Sequence, residues 1–261
     1  MTRPMAADPW KLVLIGLGAG LVSGGLGVGG GIVLVPLLVA VGLDRHRAHA
    51  TSLAAIVLTA TAGSISFGLS GEIDLGVGLT VGLGGVLGSV LGASLMHRMT
   101  SRNLSLVFGV VLLMAALRML FGGTPLPGSG ELGEFARVAI AVGIGLFAGF
   151  FAGVAGVGGG VVIVPSTIFF LGLMQHEAQG TSLVAILLTA SAGTLVNLKN
   201  GRVRLMDGLV TGAGGVVGSI IGSRLALATA DRTLSIVFGV LVLFVAVRTL
   251  YRAYGASRQT A

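Results

Sequence analysis

Two glycine-rich elements of the chain could bind an anion through their backbone. Residues 27–36 read GVGGGIVLVP and residues 156–165 read GVGGGVVIVP, so glycines come directly before a stretch that can begin a helix. The first N–H groups of a helix have no intrahelical partner, and the helix dipole makes that end positive. Glycine has no side chain to hold an anion away from those groups. The candidate anion ligands are Gly27, Gly29, Gly30 and Gly31 in the first element and Gly156, Gly158, Gly159 and Gly160 in the second. The other interpretation of these glycines is close packing of helices.

Polar side chains provide further candidate ligands for the anion. The tripeptide TSL opens an apolar segment in both halves of the chain, with Thr51 and Ser52 in the first and Thr181 and Ser182 in the second. These hydroxyls could donate hydrogen bonds to an anion, or they could cap the helices that follow. Asn197 is also a candidate, because its equivalent in the first half is apolar Phe67.

The remaining residue types predict no catalytic residue, no metal site and no cofactor, and therefore not an enzyme. The chain has no cysteine. Its histidines are expected in loops or at the ends of apolar segments, and no aspartate or glutamate falls within such a segment; the histidines are His46, His49, His97 and His176. An intramembrane enzyme or carboxylate proton relay would place ionisable groups inside those segments.

The composition indicates a membrane protein. Of the 261 residues, 54% are hydrophobic and only 10% are charged, and the mean hydropathy is +1.02. Apolar runs near 20 residues, about the length of a transmembrane helix, recur along the chain. The lipid bilayer is therefore an expected partner. The net charge of +7 fits basic cytoplasmic loops and does not indicate nucleic acid. The N-terminal MTRPMAADPWK lacks a small-residue cleavage site, so we expect it to be retained.

The chain contains an internal sequence repeat, at an offset of 129–130 residues. TSLAAIVLTATAG at 51–63 returns as TSLVAILLTASAG at 181–193. We predict a first transmembrane repeat at 1–121, a linker loop at 122–136 and a second repeat at 137–261. The predicted fold class is an all-α polytopic membrane protein with two homologous repeats, each having a glycine-broken first segment and three further transmembrane helices.

The glycine-broken first segment of each repeat allows two membrane topologies. If it enters and leaves on one side, the repeats are inverted, and 12 basic residues lie inside against 4 outside. If it crosses once, the repeats are parallel and the count is 10 against 6. The excess of basic residues on the cytoplasmic side favours the inverted topology. Both topologies put the two termini in the cytoplasm.

Two glycine stripes are assigned to helix packing rather than to the substrate. The spacing of four puts three glycines on one helix face in each repeat: Gly84, Gly88 and Gly92, then Gly214, Gly218 and Gly222. Such faces form helix contacts either within one protomer or between protomers, so the stripes are also compatible with a homo-oligomer.

The ordered set of motifs resembles the sulfite exporter TauE/SafE family of membrane permeases. It comprises the two GVGGG elements with their prolines, the TSL openings, the SGEIDL and NGRVRL turns and the glycine-striped helices, and it covers roughly residues 10–252. The resemblance implies a multi-pass permease of the plasma (inner) membrane, with seven or eight transmembrane helices. It also implies a sulfur-containing anion, such as sulfite or an organosulfonate, as the substrate.

The sequence therefore predicts a transporter for a small anion, most specifically a sulfur oxoanion, bound between glycine-rich half-helix tips. Two alternatives stay open. An anion channel on the same scaffold would account for the absence of acidic groups within the apolar segments. A non-transporting membrane partner of an enzyme complex would move no solute.

Overall fold

The computed structural model describes residues 8–95, 101–122, 133–155, 159–201 and 203–255. These ranges contain ten α-helices and no β-strand. Seven helices in the same ranges are long and apolar enough to cross a membrane, which confirms the all-α polytopic membrane class. In chain order the helices are α1 (Pro9–Leu26), α2 (Gly31–Ala40), α3 (Arg45–Leu69), α4 (Leu75–Leu95), α5 (Ser101–Leu120), α6 (Glu134–Ala155), α7 (Gly160–Leu171), α8 (Gln175–Lys199), α9 (Leu205–Leu227) and α10 (Asp231–Gly255).

Glycines break the first apolar segment between α1 and α2. Gly27, Gly29 and Gly30 have φ angles of 67°, 73° and 70°, a left-handed conformation that glycine adopts without steric cost. The ten residues of α2 then rise only about 15 Å, against a hydrocarbon core of roughly 30 Å. The second repeat likewise divides its first segment into a long α6 and a short α7.

The short helix α2 returns toward the start of α1. A Cβ built on Gly30 would lie 3.0 Å from the carbonyl oxygen of Ala19, so α2 begins beside the later half of α1. Further along, Leu38 shares a small hydrophobic cluster with Leu12 and with Ala48 of α3. Helices α1 and α2 therefore form a hairpin, and α3 begins near the end at which α1 began.

The first helix of each repeat packs on a helix of the other repeat. Gly16 of α1 faces Thr211 of α9, and Gly24 faces Ser219, so these two helices run parallel. In the second repeat, α6 packs in the same way along α4.

The remaining pairings fix the direction of every long helix. Helices α3 and α8 are antiparallel, because Gly63 meets Leu183 whereas Gly193 meets Leu53. Helices α5 and α10 are also antiparallel. The chain thus runs one way along α1, α3, α5 and α9 and the other way along α4, α6, α8 and α10. We call the face where α1 begins and α10 ends the termini face, and the face where α5 ends and α6 begins the linker face.

Both glycine stripes pack against helices of the same chain, which confirms their predicted role. A Cβ on Gly88 would lie 2.2 Å from the carbonyl oxygen of Leu146, and one on Gly218 would lie 2.1 Å from that of Leu17. For all six stripe glycines this distance to a facing carbonyl oxygen is 2.8 Å or less. Any larger residue would force the two backbones apart.

The outer surface of the helix bundle is apolar. On α4, the side chains of Leu83, Leu87 and Val90 are 60–63% exposed. A water-facing surface seldom presents such a contiguous apolar band, whereas a lipid-facing surface requires one.

Two predicted boundaries were wrong. The helices carrying TSL begin at Arg45 and Gln175, so Thr51, Ser52, Thr181 and Ser182 lie inside them and are not caps. At the true start of α3, the Asp44 carboxylate accepts from the Arg47 N–H at 3.0 Å. Hydropathy marks the apolar part of a helix and misses its polar first turns. The predicted linker loop at 122–136 also extends too far toward the C-terminus, because α6 begins at Glu134.

The Asp74 carboxylate stabilises the linker face through a helix cap and an ion pair, and we predict that the cap contributes more to stability. The carboxylate accepts from the Val77 N–H at 2.9 Å and pairs with Arg137 at 2.6 Å. Asp74→Ala should lower the free energy of unfolding by about 1–2 kcal/mol through the lost helix cap. Asp74→Asn keeps a cap acceptor and should lose at most about 1 kcal/mol with the partly exposed ion pair. Unfolding of the two purified variants in detergent measures the difference, and equal losses would contradict the ranking.

Candidate functional site

At the starts of α2 and α7, the first backbone N–H groups have no hydrogen-bond acceptor among the described residues. The carbonyl of Gly30 accepts from the N–H groups of Val33 and Leu34 at 3.0 and 2.9 Å, and these are the first bonds of α2. The N–H groups of Gly31 and Ile32 precede those bonds. The start of α7 repeats this pattern, with the Gly159 carbonyl accepting from residues 162 and 163. Within the part of the chain that the structure describes, each helix thus begins with N–H groups that have no intrahelical partner, at its positive end.

The start of α7 meets the first glycine break near the middle of the bundle. A Cβ on Gly160 would lie 2.6 Å from the Cα of Val28, so the start of α7 touches the break between α1 and α2. Gly29 lies beside Ile56 of α3 and Ile186 of α8, each about 17 Å from the start of its helix. Both helix starts are therefore brought to one level of the fold.

A cavity of about 170 Å³ lies at this level and extends toward the termini face. Its volume is several times what one water molecule needs. Ile56 and Ile186 line its inner part, and partly exposed His49 and Asn197 line its outer part. Six glycines bring the backbone to the cavity surface. Four lie in helices, Gly31, Gly85, Gly149 and Gly193, and two lie just before α2 and α7, Gly29 and Gly159.

The side chains lining the cavity are mainly neutral. Among the described lining residues, His49 is the one with an ionisable side chain. The hydroxyl of Ser52 donates to the His49 carbonyl at 2.8 Å, and that of Ser89 donates to the Val86 carbonyl at 2.8 Å. Because each hydroxyl hydrogen is used within its own helix, the backbone N–H groups are left as the main donors to a bound anion.

Comparison with known proteins agrees with this architecture. The sequence profile of the family described as "Sulfite exporter TauE/SafE" matches residues 12–249. The chain belongs to the sulfite exporter TauE/SafE family. It is therefore a membrane transporter and not an enzyme, and the bilayer and a small substrate are its partners.

Relatives of this transporter cover almost its full length. A "Probable membrane transporter protein" of Xylella fastidiosa (strain 9a5c) is 32% identical over 94% of this chain and 97% of its own. Two proteins of Bacillus subtilis (strain 168) are similar as well. "Probable membrane transporter protein YunE" is 24% identical over 92% of this chain and 96% of its own. "Probable membrane transporter protein YjnA" is 23% identical, over 89% and 96%.

The transporter's cavity brings together five of the thirteen residues predicted from sequence: Gly29, Gly31, Ser52, Gly159 and Asn197. Gly30 lies between two of them and caps α2. Gly156 and Gly158 lie outside the described residues. Thr51 is fully buried, and its hydroxyl has no partner among the described residues.

The other four predicted residues make structural contacts. Gly27 ends α1, and its carbonyl accepts from the Ser182 hydroxyl at 2.9 Å. The Thr181 hydroxyl oxygen accepts from the Asp74 N–H at 2.9 Å. Gly160 provides the contact between the two breaks. The described residues contain no group of three His, Asp or Glu side chains that could hold a metal ion.

Sequence reasoning missed several lining residues of the transporter, above all His49. It was expected in a loop or at a segment end, but it lies in the second turn of α3. Its alignment with Gln179, another polar residue just before TSL, was the available signal. Ser89 was missed as a lining residue because hydroxyls within helices usually bond to the preceding turn, as that of Ser89 also does.

Proposed function

We propose that this transporter moves a small sulfur oxoanion, such as sulfite or an organosulfonate, which binds in the cavity between the starts of α2 and α7. The observation that supports this is the meeting of two helix starts at one neutral cavity. Two sets of backbone N–H groups can share the oxygens of an oxoanion without a buried lysine or arginine. Of the predicted ligands, those that line the cavity are proposed to serve this site: Gly29, Gly31, Ser52, Gly159 and Asn197.

We also propose that the two repeats are inverted in a plasma (inner) membrane, with the termini face cytoplasmic. The hairpin of α1 and α2 returns the chain to its starting face, so each repeat then crosses three times. Basic residues concentrate at the termini face, for example Lys11, Arg45, Lys199 and Arg204. The linker face carries Glu72 and Asp74 in addition to basic residues. This distribution supports a cytoplasmic termini face.

Thermal unfolding of the purified protein tests the substrate. A ligand that binds only the folded state raises the melting temperature with its concentration. We expect sulfite or an organosulfonate to raise it by about 5–10 °C at a hundredfold excess over Kd, and chloride and acetate to leave it unchanged. Shifts of equal size with chloride, or none with any sulfur oxoanion, would overturn the proposal.

Gly159→Leu tests the location of the binding site in the same thermal-unfolding assay. The backbone at Gly159 accepts a side chain, and the nearest atom to its Cβ would be the flexible Cδ1 of Ile163 at 3.3 Å. The leucine would fill the cavity at the start of α7 and remove the anion-dependent shift. Gly143→Leu is the matched control, because no atom of a neighbouring residue lies within 4 Å of a Cβ there.

A further inference from the structure

The residues lining the cavity have equivalents in the other repeat that lie toward the linker face. At an offset of 130 residues, Ser52 corresponds to Ser182, Ser89 to Ser219 and His49 to Gln179, and Asn197 corresponds to Phe67. Because the repeats run in opposite directions, a cavity toward the termini face implies an equivalent set of groups toward the linker face. In this structure those groups, Ser182, Ser219, Gln179 and Phe67, are completely buried.

The serines toward the termini face and their equivalents toward the linker face donate hydrogen bonds to different acceptors. We call the region between the cavity and the termini face the open half, and the region between the cavity and the linker face the closed half. In the open half, Ser52 and Ser89 donate to carbonyls of their own helices, both at 2.8 Å. The Thr189 carbonyl across from Ser89 is not used by it. The side chains of the open half thus make no serine bridge between helices.

In the closed half, both serines bridge to another element. Ser219 of α9 donates to the Thr59 carbonyl of α3 at 2.8 Å, and Ser182 of α8 donates to the Gly27 carbonyl at 2.9 Å. Phe67 is completely buried where the open half has partly exposed Asn197. These contacts hold α9 against α3 and α8 against the end of α1.

The closed half also contains buried polar groups without partners. The amide of Gln179 and the hydroxyl of Ser23 are 0% exposed, and neither has a hydrogen-bond partner among the described residues. A buried amide without partners is costly, so such groups call for an explanation. Both lie next to the first glycine break: Gln179 beside Gly27, and Ser23 beside Gly30. They would be hydrated, or would meet the anion, if this half opened.

We propose that a second half-pathway for the same anion lies between the cavity and the linker face, and that the Ser182–Gly27 and Ser219–Thr59 hydrogen bonds hold it closed in this structure. When the transporter opens to the linker face, these bonds break and Ser89 bonds to the Thr189 carbonyl. Gln179 and Ser23 then line the opened half. This inference rests on the proposed transport of an anion from one face to the other.

Thiol labelling of single-cysteine variants in detergent tests the second half-pathway, since the natural chain has no cysteine. Gln179→Cys reports the closed half and Asn197→Cys the open cavity. We expect a polar maleimide to label Asn197→Cys quickly and Gln179→Cys slowly. Adding Ser219→Ala should speed labelling of Gln179→Cys about fivefold, the population change that follows from losing one hydrogen bond.

Ser89→Ala is the matched control, with an expected effect of the opposite sign. It removes a bond of the linker-face-open state and should slow labelling of Gln179→Cys about fivefold. Phe67→Cys serves as a second reporter of the closed half. Phe238→Cys, at a fully buried position of α10, reports general loosening and should stay slow in every background.

The half-pathway is overturned if Ser219→Ala does not change the labelling of Gln179→Cys and Phe67→Cys. It is also overturned if Ser219→Ala speeds Phe238→Cys equally, or if Ser89→Ala and Ser219→Ala act in the same direction. No anion is present in this assay. A negative labelling result therefore does not bear on the proposed substrate, which the thermal-shift test decides. A negative thermal-shift result likewise does not bear on the half-pathway.

Discussion

Replacing His49 with glutamate is expected to weaken binding and transport of the anion about a hundredfold or more. His49 is the ionisable residue among the described lining of a cavity whose donors are neutral backbone groups. A carboxylate about 5 Å from a bound monoanion costs about 3 kcal/mol at an effective dielectric constant of about 20. An extra negative charge at this position should therefore exclude the substrate without changing the fold.

The controls for this prediction come from the chain itself. His49→Gln introduces the amide that the equivalent position 179 carries, so it should retain binding within about tenfold. His46→Glu adds the same charge one turn earlier, at an exposed position that does not line the cavity, and should have little effect. Anion-dependent thermal shifts and uptake into proteoliposomes measure the three variants. Equal losses for His46→Glu and His49→Glu would show that surface charge, and not the cavity, is responsible.

The second large effect is expected at the contact between α1 and α9. A Cβ on Gly20 would lie 2.2 Å from the carbonyl oxygen of Gly215, far closer than two such atoms can approach. Gly20→Ala must therefore move one backbone away from the other. Alanine gains about 1 kcal/mol over glycine in helix propensity, but separating the two helices should cost more than that. We expect a net loss of about 2–3 kcal/mol in the free energy of unfolding.

Gly18→Ala distinguishes packing from propensity on the same helix. No atom of a neighbouring residue lies within 4 Å of a Cβ at Gly18, so alanine there should be neutral or stabilise the protein by up to about 1 kcal/mol. Reversible unfolding of both variants in mixed micelles gives the comparison. A Gly20→Ala variant as stable as Gly18→Ala would show that the helices separate at little cost.

The sequence predicts the main features of this fold because they repeat. The apolar segments, the two breaks and the glycine stripes all follow from periodicity or duplication, and the breaks could be placed near Gly27–Gly31. The partner of each stripe could not be predicted. A face formed by Gly214, Gly218 and Gly222 fits any helix that approaches closely, and only the tertiary structure selects α1.

The site is less predictable than the fold for a specific reason. The glycine break indicates where helix starts lie, but side chains reach the cavity from helix ends that hydropathy does not mark. His49 belongs to polar turns that precede the apolar part of α3. Ser52 and Ser182 occupy the same position of the TSL motif, yet one lines the cavity and the other bridges two elements. The shared motif does not distinguish these roles, because Ser52 lies toward the termini face, where the cavity extends, and Ser182 lies toward the linker face.

The pairing of α1 with α9 also sets an order of events during synthesis. Gly20 emerges from the ribosome 195 residues before Gly215, its partner. At about 5–20 residues per second, the interval is roughly 10–40 s. Throughout it, Gly16, Gly20 and Gly24 of α1 lack the α9 backbone on which they pack in the finished protein. The nascent protein therefore acquires its first native inter-repeat contact along α1 only when nearly the whole chain has been made.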